Sequence, residues 1–172
     1  MDVELVITMM APDRPGLVAA IAEPVTRHGG NWIDSAMARL GGAFAGIVRV
    51  SVAEEKADAL LAALRGLAGA GVTISAERAA PPPREQGPVA TLSLTCADHP
   101  GVVRAVSATL ADLGVSIETL ETRVFSGSMS GEHLFEAKAT IRLPQGADAS
   151  RVREALETIA ADLMADVELA QA

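Results

Sequence analysis

A six-residue phrase that occurs twice limits what this chain can become. Asp13-Arg14-Pro15-Gly16-Leu17-Val18 returns as Asp98-His99-Pro100-Gly101-Val102-Val103, 85 positions later. Each copy follows an alternating apolar run and precedes one with helical spacing, so each reads as strand, tight turn and helix start. Ala90, Leu92, Leu94 and Cys96 lie 85 residues after Leu5, Ile7, Met9 and Ala11. The stripe Val102, Val106, Leu110, Leu113 lies 85 after Leu17, Ile21, Val25, His28. One offset linking strand and helix positions alike indicates a duplicated unit.

Within the first copy, residues 3–11 read as a strand with Val3, Leu5, Ile7, Met9 and Ala11 on one side. A helix follows from Leu17, bent by Pro24 and closed by Gly29-Gly30. Runs 31–40 and 43–52, split by Gly41-Gly42, read as a hairpin. Glu54-Glu55 open a second helix with Leu60, Leu61, Leu64 and Leu67 on its apolar side, and residues 72–78 form a last strand.

The second copy repeats this order. Its hairpin runs are 117–125 and 132–143, its last helix carries Val152, Leu156, Ile159 and Leu163, and its closing strand is 166–169. Each half is therefore an α+β unit in the order strand, helix, strand, strand, helix, strand: a ferredoxin-like βαββαβ antiparallel sheet with both helices on one face. The other sheet face must be polar or covered, and two halves or two chains are able to cover it. The domain reading is 1–78, a Pro-rich linker at 79–88 containing Pro81, Pro82, Pro83 and Pro88, and 89–172.

Composition narrows the function. The net charge is −8 and only Lys56 and Lys138 are lysines, so the concentrated basic face that direct nucleic-acid binding requires is missing. Three Phe, one Trp and no Tyr leave little for base or sugar stacking. The single Cys96 has no internal disulfide partner, which suits a reducing compartment. Met1-Asp2-Val3-Glu4 lacks a basic leader pattern and no apolar run is long enough to span a bilayer, so the expectation is a soluble cytoplasmic protein without membrane association.

Catalytic readings find little support. Cys96 falls on the core-facing alternation, and His99 stands where the first copy has Arg14, so the repeat does not ask for imidazole there. Asp13 and Asp98 each lack a second carboxylate at a spacing shared by both copies. Each reads most simply as a helix cap. No metal site and no cofactor is expected, and neither is enzymatic activity.

Binding is the better-supported chemistry. A free amino acid needs donors for its carboxylate, which the main-chain N–H groups around Gly16–Val18 and Gly101–Val103 can supply. Its ammonium needs acceptors, available from Asp13, Asn31 and Asp34, or from Asp98, Ser116 and Glu118. On residue chemistry alone, a pocket for a small zwitterion and a plain well-capped turn both remain open.

The βαββαβ order, Asp-x-Pro-Gly between first strand and first helix, and Gly-x-Asn at the next strand resemble the ACT domain, a small-molecule-sensing module. Two such units with Ser128-Met129-Ser130-Gly131-Glu132-His133-Leu134-Phe135 in the second hairpin resemble the glycine cleavage system transcriptional repressor family. That resemblance implies an amino-acid-responsive, non-catalytic regulator acting on a DNA-binding transcriptional activator by protein–protein contact. Ligands would lodge between the first turn of one unit and a neighbouring unit, with glycine as one candidate and a homodimer as one assembly.

Carried over, the ligand-binding residues are Asp13, Pro15, Gly16, Leu17, Asn31 and Asp34, then Asp98, Gly101, Val102, Ser116 and Glu118. Ser116 replaces the amide of Asn31 in the second copy. The alternatives are a regulatory subunit or accessory protein of an amino-acid or one-carbon metabolic enzyme, and an interaction module that binds no ligand.

Overall fold

The structure, a computed structural model, describes residues 1–80, 87–127 and 131–171. Most of the expected linker, 81–86, and Ser128-Met129-Ser130 of the second hairpin lie outside the described residues. The chain divides into two compact units, Met1–Pro83 and Arg84–Ala172.

In the first unit, β1 (Asp2–Pro12), β2 (Asn31–Leu40), β3 (Ala43–Ala53) and β4 (Thr73–Arg78) form an antiparallel sheet in the order β2-β3-β1-β4. Helices α1 (Leu17–Arg27) and α2 (Glu54–Gly66) connect them, the latter running into a 3-10 turn at Leu67–Ala70. The alternation predicted for β1 holds: Leu5, Ile7, Met9 and Ala11 are buried, while Glu4, Thr8 and Met10 are exposed. Leu17, Ile21 and Val25 of α1 and Leu60, Leu61 and Leu64 of α2 pack with them and with Val48, Val50 and Val52 of β3 into one continuous core.

The second unit repeats the topology. Strands β5 (Val89–Ala97), β6 (Ser116–Ser126), β7 (His133–Arg142) and β8 (Asp166–Gln171) take the order β6-β7-β5-β8, with helices α3 (Val102–Asp112) and α4 (Ala149–Leu163). Each unit is thus a βαββαβ four-stranded antiparallel sheet. The buried residues of the second unit form two clusters, one around Leu92, Leu110, Ile141 and Leu156, the other around Leu94, Cys96, Val102 and Phe135.

Local chemistry explains the ends of these elements. Gly41 and Gly42 take left-handed φ of 58° and 82°, the pairing that a two-residue hairpin turn demands. Gly29, also left-handed, lets its N–H reach Thr26 C=O while Gly30 N–H reaches Val25 C=O, closing α1 as its sequence suggests. Pro24 sits inside α1, and its carbonyl accepts from both the main-chain N–H and the ring Nδ1 of His28 (3.1 and 2.8 Å). Among the described residues, no helix is long and apolar enough to cross a membrane.

Candidate functional site

The duplicated turns start from the ends of β1 and β5. Asp13 N–H donates to Gly42 C=O at 2.9 Å, and Asp98 N–H donates to His133 C=O at 2.8 Å. Each turn is therefore tied to the hairpin of its own unit by the same main-chain contact. Pro15 and Pro100, with φ fixed by the ring, then hand the chain to Gly16 and Gly101. These glycines take φ 90°, ψ 0° and φ 100°, ψ −7°, a left-handed conformation that side-chain-bearing residues resist.

Gly16 and Gly101, and not the aspartates, are the N-cap residues, and neither helix start receives a side-chain capping bond. This corrects the expectation that Asp13 and Asp98 cap the free donors. The left-handed glycine places Asp three residues upstream of the cap. There the Asp13 carboxylate instead accepts from Arg39 Nη1 at 2.9 Å.

The α1 ladder begins with Ala20 N–H on Gly16 C=O and the α3 ladder with Ala105 N–H on Gly101 C=O, both at 2.9 Å. The preceding N–H groups of Leu17 and Val18, and of Val102 and Val103, lie at the positive end of the helix macrodipole. A Cβ added to Gly16 or Gly101 would meet nothing within 4 Å, so space stands open above both turns. Leu17 and Val102 anchor the helix starts in the core, while Val18 and Val103 stay exposed at 45% and 44%. Sequence reasoning used only the main-chain N–H groups of these two valines and left out their side chains. Their signal was the offset of 85 combined with their place one residue after the buried stripe.

The predicted acceptors divide between two faces. Asn31 and Ser116 begin β2 and β6 and are exposed. Asp34 lies in register with Arg49 of β3, on the sheet face away from the helices, and accepts from Arg49 Nε (3.2 Å) and Nη2 (2.7 Å). Arg49 Nη1 also reaches Glu4 at 3.3 Å. Its guanidinium holds the Asp34 carboxyl below the usual carboxylate range, chiefly through the hydrogen bond. Glu118 accepts from Arg142 Nε at 2.5 Å.

A register shift separates Trp32 from Asp34 in β2 and Ile117 from Thr119 in β6, so the irregular residues Ile33 and Glu118 are themselves 85 apart. The structure thus gathers Asp13, Pro15, Gly16 and Leu17 in one turn and Asp98, Gly101 and Val102 in the other. It commits Asp34 and Glu118 to arginines on the neighbouring strands. Arg39, Arg49 and Arg142, which the sequence reading did not single out, set the electrostatics of the predicted carboxylates.

The remaining reactive side chain is buried. Cys96 is 4% exposed against Val102 and Phe135, and desolvation, with the charge of Asp98 second, pushes its thiol up. Such a thiol is a poor nucleophile. Among the described residues, no group of three or more His, Cys, Asp or Glu side chains is placed to hold a metal.

Comparison with known proteins agrees with the geometry. ACT-domain family models match residues 4–76 and 90–161, one in each unit. The glycine cleavage system transcriptional repressors of Escherichia coli (strain K12) and Shigella flexneri are each 28% identical over 164 residues, 94% of this chain and 86% of theirs. A crystal structure of an unknown protein from Galdieria sulphuraria superposes with a TM-score of 0.84 at 29% identity, covering 100% of this chain and 99% of that one. With the duplicated turn, the repeated βαββαβ topology and a family match in each half, the chain belongs to the ACT-domain family as a tandem pair, related to the glycine cleavage system transcriptional repressors.

Proposed function

We propose that this chain is a non-catalytic regulator that binds a small amino acid at its Asp-x-Pro-Gly turns and transmits occupancy to a partner protein by contact. The observation that carries this reading is the pair of helix N-termini, each begun by a left-handed glycine and capped by no side chain. The ligand carboxylate takes the N–H groups following Gly16 or Gly101, as anions do at helix N-termini. Its ammonium takes Asp13 or Asp98 with Asn31 or Ser116. Val18 and Val103 line the route by which a small side chain, or a neighbouring module, approaches. Asp34 and Glu118, held by Arg49 and Arg142, stay outside the ligand contacts of this reading.

The relatives' name, glycine cleavage system transcriptional repressor, supports a role in transcriptional regulation and an amino acid such as glycine; in this reading the partner is a DNA-binding activator met in the cytoplasm. Each ACT domain carries one turn, joined by the Pro-rich stretch 79–88. A ligand of this kind shifts the protein between arrangements only by its difference in affinity for them.

The test is calorimetric titration with glycine, serine and alanine, followed in parallel by fluorescence of Trp32, which stands next to Asn31 and is the only tryptophan. Heat and a fluorescence change with at least one amino acid are expected, the Trp32 response lost in Gly16→Val and the remaining heat lost when Gly101→Val is added. Silence in both channels with every amino acid overturns the proposal.

A further inference from the structure

The two Asp-x-Pro-Gly turns share a backbone path but not the charge beside their aspartates. In the first unit Arg39, near the end of β2, donates from Nη1 to the Asp13 carboxylate at 2.9 Å. Arg39 stands opposite Phe44 of β3, which pairs in turn with Ala11 of β1. In the second unit the residue opposite Phe135 of β7, itself paired with Cys96 of β5, is Val124. Register and sequence offset agree, since Val124 is also 85 positions after Arg39.

Val124 is 51% exposed and brings no charge. The arginine next to it, Arg123, donates to Glu136 at 2.6 Å and lies over the Phe125 ring. Successive strand residues point to opposite faces, so Arg123 does not stand in for Arg39. Among the described residues, Asp98 forms no ion pair.

We infer that Arg39 competes with the amino acid's ammonium for Asp13, and that the second turn, which has no such competitor, is the tighter of the two sites. This order of filling rests on the proposed function. The carboxylate of a zwitterion is served by the main-chain N–H groups after each glycine, so its ammonium is the end that meets the aspartate. At Asp13 that ammonium must displace a guanidinium or share the carboxylate with it, and sharing sets two cations side by side. At Asp98 neither step is needed. Ser116 in place of Asn31 exchanges one neutral acceptor for another, a smaller change than the gain or loss of a charge. The Arg39 and Asp13 side chains are 70% and 32% exposed, so their pair is of the weak surface kind and the handicap is about two- to fivefold in affinity.

Calorimetric titration of the full chain with glycine, serine and alanine reads the turns one at a time, the first in Gly101→Val and the second in Gly16→Val. The second turn is expected to bind more tightly. Arg39→Met added to Gly101→Val should tighten the first turn about two- to fivefold. Val124→Arg added to Gly16→Val should weaken the second by about the same factor, because it puts a guanidinium where the first unit has one. Fluorescence of Trp32, beside Asn31, follows the first turn independently. Both substituted positions are exposed on edge strands. If circular dichroism shows that Arg39→Met is misfolded, Arg39→Gln replaces it. A first turn no tighter without Arg39, a second turn no weaker with Val124→Arg, or a first turn that binds more tightly than the second each overturns the inference and leaves amino-acid binding in place. Silence at both turns overturns the functional reading together with it.

Discussion

At Gly16 and Gly101 a single residue type decides both shape and chemistry. A φ near +90° costs an L-residue about 1–2 kcal/mol, and the space above each glycine is open, so strain and not collision is the penalty of substitution. Gly16→Val and Gly101→Val should each lower stability by about that amount, and Gly16→Asn by less, since Asn tolerates the left-handed region. Urea titration checks the ranking. Asp34 offers a second test. Because Arg49 holds its carboxyl below the ordinary value, the pair contributes fully above the usual Asp range, and its contribution fades as pH falls through the lowered folded value. Arg49→Met should therefore flatten the acid limb of a melting-temperature-versus-pH profile, most visibly at low salt, because both side chains are solvent-exposed. Cys96 should resist a thiol reagent in the native state and react once the second unit unfolds, which a timed labelling experiment with and without denaturant reads directly.

Elements follow from local rules where periodicity is strong. β1 and β5 alternate without exception from Leu5 to Ala11 and from Ala90 to Cys96, so strand and buried side were both legible. The leucines at 60, 61 and 64 placed α2, and Leu64 is fully buried. Leu64→Ala should cost about 2–5 kcal/mol, read from denaturant midpoints. β2 and β6 were placed to within a residue, but which of their sides faces the core was not legible. Nearly all their residues are exposed because they are sheet edges that the helices do not cover, so their burial pattern carries little information. The register shifts at Ile33 and Glu118 are invisible in residue types, yet they decide which side chains reach Arg49 and Arg142. A tighter constraint hides at Gly46 of β3. A Cβ there would come within 2.7 Å of Ala36 C=O on β2, so Gly46→Ala should push the edge strand away and lower the melting temperature.

At the scale of the whole chain, each unit carries its own reporter, Trp32 in the first and Cys96 in the second. The first unit buries one continuous cluster, whereas the second buries two, linked by the half-buried Val106 and Val167. A divided core loses cooperativity, so Cys96 labelling should advance at a lower urea concentration than the loss of native Trp32 fluorescence. The sequence by itself determined the duplication, the βαββαβ order and the position of both turns, because hydrophobic period and glycine placement act over a few neighbouring residues. Only the tertiary structure decided that glycine and not aspartate begins each helix, that Asp13, Asp34 and Glu118 are held by arginines, and that Arg123 and Lys138 meet Glu136 on the open face of the second sheet. Those outcomes depend on which residues of different strands come into register, and strand pairing brings together positions as far apart as Asp34 and Arg49, or Glu118 and Arg142.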